Sequence, residues 1–348
     1  MSARMRRRGL CGEDVNEGVD MRRKPLFIVL AVMALAVVAA VKIGFFDALL
    51  VSSSFQASKE RAEQGDAKAQ LELGRRYYHG AGIEKDGDQA LVWFLKSAEQ
   101  YNPEAMRLAG LMYNNGQAAV QDPKLALRWL EAAYDASDNM AAYFIGQMYQ
   151  QGEGVEKNLN TAYSWYQKGA DRADSWSQWA LGNLNQSGFD GHPVDLNSAV
   201  KWYRLSAKLG NELGQHEMGR MYNHGIGVEQ DLGKAEMWYR RASEQGYWLA
   251  SNNLAWLLAT AKGSGVRNGK AALKVIEGID LAELDDLNRA MVLDTFAAAY
   301  AEMGRFVDAV MAQEKVIALQ QQIKVEPTLI SESEARLHAY QQKQAWRE

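Results

Sequence analysis

Five tryptophans, Trp93, Trp129, Trp165, Trp202 and Trp238, recur at intervals of 36, 36, 37 and 36 residues, and five glycines, Gly74, Gly110, Gly146, Gly182 and Gly219, recur at 36, 36, 36 and 37. A fixed period of that length means tandem copies of one small unit. Each unit is too small to bury its apolar face alone, so neighbours stack to complete one continuous core. Only five prolines interrupt 348 residues, and the abundant Ala, Leu and Met lose little side-chain freedom in a helix, so the units are expected to be helical.

Within a unit the spacing predicts two helices. Around each tryptophan an alanine stands three residues before (Ala90, Ala126, Ala162, Ala199, Ala235) and a small residue four after (Ser97, Ala133, Gly169, Ser206, Ala242). Those offsets fall on one face of a helix, here helix B, and let a neighbouring backbone approach. Asp86, Asp122, Asn158, Asp195 and Asp231 precede the tryptophans at N-cap distance. The recurrent glycine belongs to a preceding helix A. Glycine costs about 1 kcal/mol inside a helix relative to alanine, so its recurrence implies a close approach there, with the indole expected to fill the gap. Tyr77, Tyr113, Tyr149 and Tyr222 follow it by three residues, Asn185 being the exception, and helix A is expected to stop at Gly80, Gly116, Gly152, Gly188 and Gly225. The connectors of units two and four, Gly116-Gln-Ala-Ala-Val120 and Gly188-Phe-Asp-Gly-His-Pro-Val194, depart from the Gly-x-Gly-aliphatic pattern of the others.

The combination Ala-x3-Leu-Gly-x2-Tyr, Gly-x-Gly-Val and Ala-x2-Trp-Tyr resembles the Sel-like (Sel-one-like) repeat, a relative of the tetratricopeptide repeat, over residues 66–246. The resemblance implies an all-α, right-handed α-solenoid of helix-turn-helix repeats and a non-enzymatic adaptor role. After Ala255 the period weakens. Residues 247–321 resemble degenerate tetratricopeptide-like repeats, residues 322–348 are expected to form a capping helix, and residues 47–65 a linker and front cap.

From Pro25 the chain runs almost uniformly apolar to Phe46, 22 residues broken by Lys42, enough to cross about 30 Å of hydrocarbon. Seven Lys/Arg precede it in residues 1–24, so the tail is expected inside and the body outside. Residues 25–46 are therefore read as a single-pass anchor in a bacterial inner membrane with a periplasmic body. The alternative is a signal segment cut near Val38-Ala39-Ala40, leaving a soluble periplasmic protein. Met21, followed by Arg-Arg-Lys, is an alternative start.

Beyond residue 24 the chain holds 32 basic and 39 acidic residues. An acidic body without a basic stripe argues against nucleic acid. Cys11 is the only cysteine, so cysteine-rich metal sites and internal disulfides are excluded. The five histidines (His79, His192, His216, His224, His338) show no metal-binding spacing and are read as surface residues. Gly263-Ser-Gly-Val-Arg-Asn-Gly269-Lys270 has the wrong interval for a phosphate loop, and Ala271 stands where Ser or Thr is needed. No catalytic, cofactor or metal residue is expected.

The expected partner is a protein or peptide bound through the concave A-helix surface. The alternatives are an envelope regulator of a membrane sensor or cell-wall enzyme acting through its outer face or anchor, and a hydrolase using a carboxylate pair without a sequence signature. If helix A lines the inner curve, positions −6, −3, +1 and +4 about each recurrent glycine face the groove. They include Arg75, Tyr78, Arg107, Asn114, Tyr143, Gln147, Trp176, Trp179, Asn183, His216, Arg220 and Asn223. Amides suit a peptide backbone, and aromatic and arginine side chains suit anchoring contacts. Trp176 and Trp179 lie outside the tryptophan period and are the preferred hot spot.

Overall fold

The computed structural model describes residues 55–117, 121–262 and 265–348, and among them the regular structure is helical. The expected membrane span at 25–46 and the basic tail at 1–24 lie outside the described residues. Among the described residues no helix is long and apolar enough to cross a membrane.

Helix α1 covers residues 55–63. Five antiparallel pairs follow: α2 (Ala67–His79) with α3 (Gly87–Ala98), α4 (Pro103–Asn115) with α5 (Pro123–Asp135), α6 (Ala141–Gln151) with α7 (Leu159–Asp171), α8 (Ser175–Ser187) with α9 (Leu196–Lys208), and α10 (Glu212–His224) with α11 (Leu232–Glu244). Beyond them lie α12 (Trp248–Thr260), α13 (Gly269–Ile276), a 3-10 turn (Leu281–Glu283), α14 (Asp286–Glu302), α15 (Phe306–Gln322) and α16 (Pro327–Gln341). Each pair packs on the next, giving an all-helical repeat solenoid. The A helices α6, α8 and α10 also approach one another directly.

The local signals act where the spacing placed them. The carboxylate or amide of Asp86, Asp122, Asn158, Asp195 and Asp231 accepts the backbone N–H three residues on, capping every B helix of the pairs. The backbone N–H of the same five residues donates to the carbonyl of Tyr77, Tyr113, Tyr149, Asn185 and Tyr222 at 2.8–3.0 Å. That bond closes each A-to-B connector through main chain alone, which explains why Asn185 replaces tyrosine without loss of the turn. Gly80, Gly116, Gly152 and Gly225 end their helices in the left-handed region, with φ between 62° and 82°. Gly188 keeps a positive φ of 67° but ψ is 164°, and its connector forms an isolated bridge between Phe189 and His192. Unit four therefore has a differently shaped connector; that of unit two includes residues outside the described set.

The close approach at the recurrent glycines is present, but the indole does not fill it. The residue after each tryptophan does. A Cβ on Gly74 would lie 2.6 Å from the Phe94 ring, one on Gly110 3.0 Å from Leu130, one on Gly182 2.5 Å from Tyr203 and one on Gly219 2.5 Å from Tyr239; Tyr166 stands likewise over Gly146. These five side chains are fully buried. One residue is a 100° rotation on a helix, and the tryptophans are consequently turned toward the seam between units. Trp129 joins the cluster of Leu91, Phe94 and Ala98 from the unit before it, Trp202 that of Ala162 and Tyr166, and Trp238 that of Ala199 and Val200. The preceding unit contributes to the shielding, and Trp129, Trp165 and Trp202 are only half-buried. Basic side chains lie over the outer faces, with Lys96 4.0 Å from the Trp93 ring and Lys168 3.7 Å from that of Trp165.

At the front, Phe55 and Ala62 of α1 pack with Ala69, Leu73 and Trp93. At the far end Tyr340 of α16 is fully buried against Ala297, Ala301, Ala309 and Ala312.

Candidate functional site

The A helices carry the residues singled out in the sequence, and the structure divides them into three groups. In the first, the arginines are already engaged. Arg75 pairs with Glu104. Arg107 pairs with Asp138 at 2.9 Å and with Glu104 at 3.3 Å. Charge on charge ties α2, α4 and the turn before α6 together, so these guanidinium groups bind the array to itself before any partner arrives. Tyr78 donates to Gln117 at 2.8 Å and Asn114 donates to Glu153 Oε2 at 2.7 Å, each reaching one unit along.

The second group meets at two adjoining hollows in the middle of the array. One, of about 200 Å³, is lined by Leu111, Asn114, Phe144, Gln147, Gln151 and Glu153; the other, of about 210 Å³, by Tyr143, Gln147, Gln150, Gln151, Trp179 and Asn183. Gln147 and Gln151 border both, so the hollows form one run across units two to four. Trp179 stands edge-on to Trp176 at 6.5 Å, and Trp176 packs 5.7 Å from Tyr143. Trp176 lines neither hollow; it is half-buried and supports Tyr143 from the side. Burial, with the Asp174 charge nearby, pushes the Tyr143 hydroxyl up to about 12.

Behind these hollows the ring residues over the glycines reach through the array. Tyr166 donates to Gln150 Oε1 at 2.6 Å, and Tyr203 donates to Asn183 Oδ1 at 2.6 Å and to Gln186 Oε1 at 3.1 Å. Glycine lets the ring lie flat against helix A, and its hydroxyl orients the amides that face outward. Sequence reasoning missed this role of Tyr166 and Tyr203. The signal was present in the tyrosine that follows the tryptophan in units three, four and five.

The third group lies on α10. Arg220 donates to Gln186 at 2.7 Å and to Glu217 at 2.8 Å. His216, expected at the surface, is buried between Glu217 and Asn253, at 3.2 and 2.9 Å. Burial raises the Glu217 carboxyl, but the His216 hydrogen bond and the Arg220 charge outweigh it and hold it below the usual range. Asn223 borders a further hollow of about 290 Å³ with His224, Trp256, Thr260, Lys262 and Glu348. Among the described residues no group of three or more His, Cys, Asp or Glu side chains is placed to hold a metal ion.

With this geometry in hand, comparison with known proteins is specific. The Sel1 repeat family pattern matches residues 67–102, 103–138, 139–174, 177–211 and 213–247, just over half of the chain. A 39-residue segment is 54% identical to the secretory immunoglobulin A-binding protein EsiB of Escherichia coli O6:H1 strain CFT073; it covers 11% of this chain and 8% of EsiB. The crystal structure of a protective antigen present in uropathogenic Escherichia coli strains, displaying an SLR fold, superposes with a TM-score of 0.53 at 25% identity, covering 83% of this chain and 71% of that one. A Sel1 repeat protein from Oxalobacter formigenes gives 0.54 at 25% identity, covering 68% and 98%. Five consecutive matched units, each capped and closed by the same residues, establish that the chain belongs to the Sel1 repeat family.

Proposed function

We propose that this protein is a non-enzymatic scaffold that binds a protein partner through an extended segment laid along the A-helix face. One observation carries the reading: the run of two hollows sharing Gln147 and Gln151, walled by amides, by the aromatic rings of Phe144, Tyr143 and Trp179, and at one end by Glu153. Amide side chains both donate and accept, so they match the alternating N–H and C=O groups of an extended backbone, while the rings offer anchoring area at low conformational cost. The tyrosine hydroxyls behind Gln150 and Asn183 hold part of that surface in place before binding, which lowers its entropic cost. EsiB and this chain share one short stretch of repeat, which supports the scaffold reading and leaves the partner to be found.

Replacing Gln147 and Asn183 together by alanine tests the reading. The double variant should fold as the parent does and lose the partner that co-purifies with the intact chain, while Arg204→Ala and Met237→Ala on the B helices keep it. Loss of the partner from the B-helix variants alone would transfer the function to the outer face.

We further propose that residues 25–46 anchor the chain in the inner membrane with the repeat body on the periplasmic side, which its apolar length and the preceding basic residues support. Resistance to carbonate extraction together with protease access to the body from the periplasm is the expected result. Release of a shortened chain in the soluble periplasmic fraction would instead identify a cleaved signal.

A further inference from the structure

The groove register does not end with the fifth unit. Ala255 lies one period of 36 residues after Gly219, so Trp256 of α12 holds the place that Arg220 holds on α10, and Thr260 the place of His224. That sixth position is occupied by the chain itself. After α16 the backbone turns at Lys343, whose φ is 56°, and residues 344–348 run back to α12 without forming a helix.

The contacts are those of a bound extended peptide. The Glu348 N–H donates to the Thr260 carbonyl at 3.0 Å, and the Lys262 N–H donates to the Glu348 carbonyl at 2.9 Å. The Trp256 indole N–H donates to Glu348 Oε2 at 2.7 Å. Arg347 pairs with Glu302 at 2.6 Å. Trp346 packs against the cluster of Tyr340 and Ala301, and Arg336, held by Asp294 at 3.0 Å, lies 6.0 Å from the Trp346 ring and 5.7 Å from that of Trp256. Glu348 makes both main-chain bonds, while Arg347 and Trp346 find separate side-chain partners. Glu348 also walls the hollow that Asn223 and His224 open from the fifth unit.

We propose that α12 carries a peptide-recognition site for an extended aromatic-basic-acidic sequence, and that residues 344–348 are its intramolecular ligand. The inference rests on the reading of the A-helix face as the binding face, and it adds a threshold to it. A tethered ligand sits at an effective concentration in the millimolar range, so a partner reaching along the groove to the sixth unit must carry the same chemistry to displace it. With the segment displaced, Trp256 presents a free indole N–H beside Asn223, and the groove lengthens by one unit.

The test uses the segment as its own probe. A fluorescein-labelled peptide with the sequence of residues 341–348, its C-terminus amidated, is titrated against the full chain and against a chain lacking residues 343–348. The shortened chain should bind the peptide at least about tenfold more tightly than the full chain, whose site is filled. Binding should fall by about tenfold when glutamine replaces the last residue of the peptide or when Trp256→Ala is made in the shortened chain. Arg204→Ala in the shortened chain should leave peptide binding unchanged, which separates loss at this site from a general effect of substitution. A shortened chain that keeps its thermal midpoint and ignores the peptide overturns the proposal. Should removal of the segment compromise folding, Arg347→Ala with Glu348→Ala in the full chain should open the site to the peptide. Equal peptide binding by that variant and the parent also overturns it. A full chain that is dimeric until residues 343–348 are removed would show the segment serving a second copy, and the intramolecular assignment would fall.

Discussion

The ring of Tyr166 covers the position that a Cβ on Gly146 would need, and its hydroxyl donates to Gln150, one turn further along α6, at 2.6 Å. One pair of residues thus sets the spacing of two helices and holds a side chain on the A-helix face. The same arrangement recurs with Gly182, Tyr203 and Asn183.

Adding a methyl group at these glycines should therefore harm the fold despite a better helix propensity. In Gly182→Ala the new Cβ meets two atoms of the Tyr203 ring at 2.5 Å. Overpacking costs about 1–3 kcal/mol, against about 1 kcal/mol gained in propensity, so denaturant unfolding should show net destabilisation. Gly233→Ala in α11, where only Asp231 Oδ1 lies nearby at 3.4 Å, is the control and should be neutral or stabilising by up to about 1 kcal/mol.

The tryptophan and the residue after it should fail differently. Tyr166→Ala empties the interior of one unit and should cost about 3–5 kcal/mol. Trp165 is half-buried at the seam, edge-on to Tyr134 of the preceding unit at 5.4 Å. Trp165→Ala should cost less, and because repeat arrays are held by nearest-neighbour terms it should broaden the unfolding transition. Equal cost with unchanged slope would put both side chains in one core.

Removing only the hydroxyl separates packing from recognition. Tyr203→Phe keeps the ring against Gly182 and releases Asn183 and Gln186. A stability loss of about 1 kcal/mol is expected, with a weaker partner affinity that Asn183→Ala does not weaken further. Additive losses would mean that the tyrosine does not act through Asn183.

Asp174 caps α8 through the Ser177 N–H at 2.8 Å yet is buried, and burial together with the Asp138 charge pushes its carboxyl above the usual range. A group raised in the folded state contributes stability below its unfolded value, near about 4, and loses it as pH rises through the folded value. Asp174→Asn keeps an acceptor for the cap and removes the charge. The variant should be more stable than the parent at neutral pH, and the difference should disappear on acidification toward pH of about 4. Glu217, held below its usual range, has the opposite sign: its contribution is present at neutral pH and is lost as pH falls through the depressed value.

The period of the sequence made the architecture legible because each unit repeats the same local chemistry: the Asp86-type caps, the left-handed glycines such as Gly80 and the alanines such as Ala90 all stand where spacing placed them. Which aromatic fills the glycine gap was not legible, since Trp165 and Tyr166 are adjacent and a single step of helical rotation decides between core and seam. The groove register located Asn114, Gln147, Trp179 and Asn183 at the hollows, but Arg75 and Arg107 turned out to be consumed by Glu104 and Asp138, contacts about 30 residues distant that carry no local signature. The return of Glu348 to Trp256 spans 92 residues outside the period and was invisible for the same reason.

The most direct measurement places a photoreactive residue, one at a time, at Asn114, Gln147 and Asn183 on the A-helix face and at Arg204 and Met237 on the B helices, and maps the crosslinked residues on the partner captured in living cells. The A-face positions should label one partner at sites that follow one another along its sequence in the order of the repeats, and the B-helix positions should not label it. Labelling confined to Arg204 and Met237, or A-face crosslinks scattered without order, would contradict a segment laid along the array.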